Sequence, residues 1–164
     1  MDLRVEGNGI ALWGERRLRC AIGRGGIATK KTEGDGASPA GAWPMRRALY
    51  HPDREAPPAT GLPLQPLAPA DGWCDAPGDG AYNRPVRLPY PASAERMWRD
   101  DALYDLLIVL GYNDAPVVAG RGSAIFLHLA RVDFAPTEGC IALARADLLA
   151  VLAEADETCR VVIG

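Results

Sequence analysis

One cysteine and one histidine lie near enough in this sequence to suggest a catalytic pair. His128 and Cys140 both fall in the segment RGSAIFLHLARVDFAPTEGCIALARADLL, residues 121–149, and no other cysteine has a histidine so close along the chain. Thiol catalysis requires a thiolate, a nearby base and backbone donors for the oxyanion. We therefore predict that Cys140 is a nucleophile and that His128 is its general base.

The residues around this pair suggest how it is positioned. His128 ends an apolar run typical of a strand, which would hold the imidazole rigidly. Gly139 has no side chain to obstruct a substrate carbonyl, and we predict a helix from about Leu143, so that amides near Gly139 and Cys140 form an oxyanion hole. The spacing alone is equally compatible with a packed core cysteine and a structural histidine.

Composition indicates one soluble globular domain spanning residues 1–164. The chain is 48% hydrophobic and 24% charged, with a net charge of −3. No basic stripe indicates nucleic-acid binding, and no apolar run approaches the roughly 20 residues of a membrane span. The N-terminus shows no apolar signal-peptide core. The four cysteines form no CxxC pair, so we predict no metal site, and we expect Cys20 and Cys159 to be buried, inert thiols.

Hydrophobic patterning predicts a mostly β fold with one or two short helices. A hairpin is indicated by the alternation in residues 3–13 and 16–23, and residues 51–69 read as a proline-rich surface loop. The apolar runs 103–113 and 122–130 favour neighbouring buried strands. The other predicted elements are a strand over 42–50, a short helix capped by Ser93 and extending through Trp98 or Leu103, a helix over 145–155, and a last strand over 159–164.

A second motif lies about a hundred residues before the cysteine. It is GDGASPAG, with Gly34, Asp35, Gly36, Ser38, Pro39 and Gly41. Together with His128, Thr137, Gly139 and Cys140 it resembles the L,D-transpeptidase catalytic domain, the YkuD domain, whose members carry GDG-x-[TS]-P-x-G early and a histidine followed after a loop by [ST]-H-G-C. The matching motifs span roughly residues 21–145, which is most of the chain.

The resemblance implies a fold, an activity and a partner. The expected fold is a sandwich- or barrel-like mixed sheet. The expected enzyme is a cysteine acyltransferase without cofactors that acts on peptidoglycan stem peptides (muropeptides) and reacts with carbapenem-type inhibitors. Cys140 would form a thioester, His128 would act first as base and then as acid, and Thr137, Gly139 and Cys140 would shape the oxyanion turn. The implied location is the periplasm or cell wall, by an export route that the sequence does not reveal.

Two positions depart from the family pattern and suggest a divergent subgroup with TEGC in place of SHGC. Glu138 replaces the usual histidine, and Ala142 replaces the polar residue two positions after the cysteine. A carboxylate beside the nucleophile opposes thiolate formation unless it is turned away or paired with an arginine. The residues predicted to bind substrate are Arg131, Thr137, Glu138, Arg121, Tyr112 and Asn113, with the two arginines as carboxylate clamps.

The residues leave the exact reaction open. The cross-link would join two diaminopimelates or, as in some short members of the family, diaminopimelate to the L-Ala of a second stem. An L,D-carboxypeptidase or amidase-type hydrolase using the same Cys-His site is an alternative. A non-catalytic wall-binding module is a third, because Glu138 and Ala142 depart from the active pattern.

Overall fold

The computed structural model describes residues 1–164 and contains fourteen strands and one helix. In chain order they are β1 (Asp2–Glu6), β2 (Ile10–Trp13), β3 (Arg16–Ala21), β4 (Ile27–Ala28), β5 (Ser38–Pro39), β6 (Gly41–Tyr50), β7 (Leu64–Pro66), β8 (Asp71–Cys74), β9 (Pro85–Arg87), β10 (Ala94–Arg96), β11 (Leu106–Leu110), β12 (Phe126–Leu129), β13 (Ile141–Leu143), α1 (Arg145–Glu154) and β14 (Arg160–Ile163). The prediction of a mostly β fold is confirmed.

The largest sheet closes on itself. Its strand order is β11-β12-β13-β3-β2-β1-β14-β6-β7, and β6 also pairs with β11. The pairing is mixed, because β12 runs parallel to β13 and β1 runs parallel to β14, whereas β11–β12 and β2–β3 are antiparallel. The result is a barrel-like mixed sheet, as the family resemblance implied.

Side chains of β12 alternate between two hydrophobic clusters. Leu127 and Leu129 belong to the main core, which also receives the buried side of α1. Phe126 belongs to a second cluster on the outer face of the sheet. Because both faces are covered, every residue of β11 and β12 is buried, and both strands therefore read as continuous apolar runs.

A three-stranded sheet, β10-β8-β9, forms a second layer over this outer face. Its Trp73 and Met97 pack in the cluster that contains Phe126. Asn83 joins the two layers: its amide oxygen accepts from Trp73 Nε1 and from the Ala124 N–H, and its amide nitrogen donates to the carbonyls of Tyr112 and Asn113. The catalytic candidates lie at the edge of this interlayer contact.

The predicted helix after Ser93 is wrong. Residues 94–96 form β10, which pairs antiparallel with β8 and brings Glu95 opposite Trp73. The capping signal of Ser93 is local, whereas the pairing with β8 satisfies the backbone through a segment some twenty residues earlier, and tertiary contacts routinely override helix propensity.

The remaining elements agree with the predictions. The N-terminal hairpin, the strand over 42–50, the neighbouring strands 103–113 and 122–130, the helix over 145–155 and the last strand are present as β2–β3, β6, β11–β12, α1 and β14. The proline-rich loop contains only the short strand β7. None of the helical structure combines the length and the apolar character needed to cross a membrane.

Candidate active site

A cleft of about 360 Å³ lies between the barrel and the second layer, and Cys140 and His128 both line it. Thr137, Glu138, Arg131 and Ala142 line it too, while Arg121, Tyr112 and Asn113 do not. Of the nine predicted site residues, five including His128 thus line one cleft, and four, Gly139, Arg121, Tyr112 and Asn113, do not. The charged residues of the lining are Glu33, Asp75, Glu95, Arg99, Arg131 and Glu138.

The parallel pairing of β12 with β13 sets the two candidates on one face. His128 is opposite Ala142 in the register, and the Phe126 N–H donates to Cys140 Sγ at 3.3 Å. Since alternate strand residues share a face, His128 and Cys140 both point into the cleft. The methyl side chain of Ala142 beside His128 leaves this part of the cleft open.

The segment directly after Cys140 is a strand and not a helix. β13 occupies residues 141–143, and α1 begins only at Arg145. The helix expected from about Leu143 begins two residues later, at Arg145, because the apolar segment Ile141–Leu143 pairs with both β12 and β3 as a strand. A helix N-terminus does not supply the oxyanion donors at Cys140.

The pair is uncharged at neutral pH in the free protein. Burial raises the pKa of the Cys140 thiol to about 12, and Glu95 adds to this rise while the Phe126 N–H and Lys31 oppose it. Burial lowers the pKa of His128 to about 4. The thiol donates to the Ala124 carbonyl at 3.2 Å and makes no hydrogen bond to His128. Proton transfer to His128 therefore requires the thiol to leave Ala124.

The tautomer of His128 suits a general base. Its Nδ1 lies 2.8 Å from the Leu129 carbonyl oxygen, so Nδ1 carries the proton and Nε2 is left as the acceptor. The ring meets Tyr104 edge-on at 5.4 Å between centroids, and the Tyr104 hydroxyl donates to Glu95. Packing and hydrogen bonding thus fix the orientation of His128.

Gly139 and Thr137 shape the turn that leads into Cys140. Gly139 has φ +138°, and a β-carbon there would lie 2.8 Å from the Ala37 carbonyl oxygen, so only glycine fits. The Thr137 hydroxyl donates to the Cys140 carbonyl at 2.6 Å and accepts from the Gly139 N–H at 3.1 Å. The Cys140 N–H has no acceptor within the protein, which leaves it as a candidate oxyanion donor.

Ser38 of the GDGASPAG motif is hydrogen-bonded to the same turn. Its fully buried hydroxyl donates to the Gly139 carbonyl at 2.8 Å and accepts from the Gly23 N–H at 2.9 Å. The Gly139 carbonyl belongs to the peptide whose N–H is that of Cys140. Ser38 therefore orients the Cys140 N–H, the candidate oxyanion donor, although Ser38 and Gly139 are 101 residues apart in the sequence.

Replacing Ser38 with Ala is expected to lower kcat for acyl transfer about tenfold to a hundredfold with little change in KM. The loss leaves two buried backbone groups without a partner, at a cost of about 1–3 kcal/mol in unfolding free energy. Steady-state kinetics and denaturant unfolding measure the two effects. Ser38→Thr is the matched control, because it retains the hydroxyl; an equally impaired Thr variant would rule out the hydroxyl as the cause.

Lys31 is a site residue that the sequence patterns did not reveal. Only 8% of it is exposed, and its Nζ lies 2.6 Å from Asp35 Oδ1 and 3.5 Å from where a β-carbon on Gly139 would be. Asp35 also accepts from the N–H groups of Thr32 and Ala37. Asp35 of the GDG motif thus forms an ion pair with the buried Lys31 ammonium close to the Gly139–Cys140 turn. A lysine next to the GDG motif was the only available signal.

Replacing Lys31 with Met is expected to make Cys140 less reactive at a given pH. The ammonium lowers the pKa of the Cys140 thiol, so its removal should raise that pKa and slow alkylation at a given pH, because less of the thiol is ionised. The rate of Cys140 alkylation as a function of pH, followed by peptide mass spectrometry, measures the shift. Lys30→Met removes the adjacent exposed lysine and should leave the profile unchanged; a common shift in both variants would contradict a specific role for Lys31.

Glu138 is turned away from Cys140. Its side chain is 80% exposed, and its carboxylate accepts from Arg24 Nε at 2.8 Å. Although Glu138 is adjacent to Gly139, it does not appear among the groups that shift the pKa of Cys140. The carboxylate that departs from the family pattern is thus paired with an arginine at the rim of the cleft.

The predicted substrate residues outside the cleft have structural contacts. Arg121 is exposed, and its carbonyl accepts from the Tyr112 hydroxyl. Asn113 donates to the carbonyls of Val118 and Gly122 and closes the loop between them. The prediction that these three residues line the catalytic cleft is corrected, because the chain turns away from it after β11. Arg99, Glu95 and Glu33 line the cleft instead, from segments that carried no motif.

Comparison with protein families identifies the class to which this fold and cleft belong. Residues 3–163 match the family model of the YkuD domain, the L,D-transpeptidase catalytic domain. The match covers almost the whole chain, so the protein belongs to the L,D-transpeptidase catalytic domain family, whose members act on peptidoglycan stem peptides. Searches of curated proteins and of solved structures found no match.

Proposed function

We propose that this protein is a peptidoglycan L,D-transpeptidase that uses Cys140 as its nucleophile and His128 as its general base, and that residues 1–164 act as one catalytic domain. The observation that carries the proposal is the convergence of three groups on one cleft. These are the Cys140 thiol, the His128 ring with its free Nε2 and the Cys140 N–H without an acceptor. Acyl transfer through a thioester needs these three groups.

The first half-reaction acylates the enzyme. Cys140 Sγ attacks the carbonyl carbon that follows the L-centre of diaminopimelate in a donor stem, and His128 Nε2 takes the thiol proton. The Cys140 N–H stabilises the negative oxygen of the tetrahedral intermediate. His128 then returns the proton to the leaving amine, the carbon–nitrogen bond breaks, and the thioester remains on Cys140.

The second half-reaction transfers the acyl group. An amine of a second stem attacks the thioester carbonyl, His128 takes a proton from this amine, and the carbon–sulfur bond breaks to restore the thiol. No ATP is consumed, because the energy of the first peptide bond is retained in the thioester. The link joins two diaminopimelates or, in the short TEGC subgroup to which we assign this chain, diaminopimelate to the L-Ala of the acceptor.

The charged lining of the cleft supports a substrate that carries both amines and carboxylates. Arg131 is exposed at the rim without an ion-pair partner, whereas Arg99 is paired with Asp101 at 2.7 Å. Glu95 accepts from the Tyr104 hydroxyl inside the cleft. Arg131 suits a carboxylate of the stem and Glu95 suits an ammonium group. This pairing fits the zwitterionic end of diaminopimelate.

Mass spectrometry of the products from defined muropeptides tests the proposal. Cross-linked dimers are expected, and fragmentation of the dimer identifies the acceptor as diaminopimelate or L-Ala. Shortened monomers without dimers would instead indicate a hydrolase. If no product forms and a carbapenem leaves no adduct on Cys140 at neutral pH, the result favours a non-catalytic wall-binding module. A cell-wall role follows from the family, and immunolocalisation in the source cell tests the proposed periplasmic site.

A further inference from the structure

We propose that the protein has a second binding site, for a carboxylate group, in a pocket centred on Arg47. This pocket has a volume of about 170 Å³ and is distinct from the cleft of Cys140. The residues that the argument uses are Arg46, Arg47, Trp73, Asn83, Arg84 and Asp114. No catalytic candidate lines it.

The pocket opens between the barrel and the second layer. Arg47 on β6 is opposite Val109 on β11, and Val109 belongs to the outer cluster, so Arg47 projects from the outer face of the barrel. There its guanidinium carbon lies 5.7 Å from the ring centroid of Trp73 on β8. Ile125 lines both this pocket and the catalytic cleft, so the two cavities adjoin along the start of β12.

The guanidinium of Arg47 lacks a partner in the protein. Its Nε is buried and has no hydrogen-bond acceptor, and none of its other nitrogens donates to a protein atom. Arg47 is half-buried; partial burial of a cation without a hydrogen-bonded anion costs free energy, and the buried Nε–H without an acceptor adds to the cost. Burial also lowers the pKa of Arg47. An anion in the pocket would remove both penalties.

The neighbouring charged groups leave room for such an anion. Asp114 lines the pocket and opposes the lowering of the Arg47 pKa, but both of its oxygens accept from Arg46, each at 3.0 Å. Arg84 at the mouth is exposed and unpaired. The pocket therefore contains one ion pair, Arg46–Asp114, and two cations, Arg47 and Arg84, that form no ion-pair contact with a carboxylate of the chain.

A carboxylate fits this arrangement in charge, shape and size. The Nε–H and one terminal N–H of an arginine form a fork that matches the two oxygens of a planar carboxylate. Trp73 supports one side of the fork, and the amide of Asn83 is fully occupied by its four hydrogen bonds and so does not compete. The ligand is either a carboxylate of a stem peptide or a free organic acid, because both have this chemistry. Only the stem peptide as ligand depends on the proposed transpeptidase function.

Arginine side-chain NMR tests the site directly. The Arg47 Nε–H resonance is assigned by its absence in Arg47→Met, and sodium acetate is titrated against sodium chloride at constant ionic strength. A saturable shift of this resonance is expected, with an apparent dissociation constant raised about tenfold in Arg84→Met, the loss of about 1.4 kcal/mol. Arg87→Met is the matched control, because this exposed arginine on neighbouring β9 lies outside the pocket, and it should leave the titration unchanged.

The results separate this site from the catalytic one. The acetate shift should persist in Cys140→Ala, whatever the activity of that variant. Muropeptides added to Cys140→Ala identify a stem peptide as the source if they shift the Arg47 resonance at lower concentration than acetate. The proposal is overturned if acetate causes no saturable shift, if inorganic phosphate binds as well as acetate, or if Arg84→Met and Arg87→Met behave alike.

Discussion

Replacing Cys140 with Ala is expected to abolish the formation of cross-linked muropeptide dimers, with a fall in kcat of more than about 1,000-fold, the scale seen when an enzyme loses its nucleophile. The reason is that Cys140 supplies the only thiol that lines the cleft. Its N–H and the Ser38 contact to Gly139 are retained in the variant, so the substrate site itself stays formed. Quantifying dimers by liquid chromatography and mass spectrometry measures the loss.

Cys20→Ala is the matched control for this experiment. Cys20 is another buried thiol, 4% exposed, and burial raises its pKa to about 11. It lies in β3, within the main core and away from the cleft. This variant should retain full transfer activity per folded molecule. Persistent dimer formation by Cys140→Ala would refute the assignment of the nucleophile.

Replacing His128 with Gln is expected to lower kcat about 100-fold to 10,000-fold, the range for loss of a general base. In the free protein the thiol is almost wholly protonated at neutral pH, since its pKa is about 12. The proton must therefore be removed during the attack, and Nε2 of His128 is the acceptor in the same cleft. Burst-phase measurement of the acyl-enzyme should show that acylation is the step that slows.

Replacing His128 with Gln should also change how the free energy of unfolding depends on pH below neutrality. The pKa of His128 falls from 6.5 to about 4 on folding because the ring is buried. Below pH 6.5 the unfolded chain therefore binds a proton that the folded protein does not, and this component of stability is lost as the pH falls to about 4. The loss is roughly 3 kcal/mol, since each pKa unit corresponds to about 1.4 kcal/mol.

Denaturant unfolding at several pH values measures this component. The wild type should lose roughly 3 kcal/mol more than His128→Gln between pH 6.5 and 4. The carboxylates titrate in both proteins, so the difference isolates His128. Parallel curves for the two proteins would show that His128 does not have a depressed pKa, and would weaken the case for an uncharged resting pair.

The elements predicted correctly are those whose signals are local. The hairpin of β2 and β3, the apolar strands β11 and β12, and helix α1 each follow from periodicity within a single segment. The small sheet was missed because β8 and β9 are three or four residues long and interrupted by turns. The helix after Cys140 begins two residues later than the expected start near Leu143, and the strand before it, Ile141–Leu143, is too short for its periodicity to be recognised.

The sequence by itself determined the family, the mostly β fold and the two residues proposed for catalysis, because the motifs around Ser38, His128 and Cys140 are contiguous and specific. Only the tertiary structure decided what surrounds them. It pairs Glu138 with Arg24 across 114 residues, places Lys31 under Gly139, and moves Tyr112, Asn113 and Arg121 out of the cleft. These contacts depend on how distant strands pair and pack, and no local pattern of residue types records that.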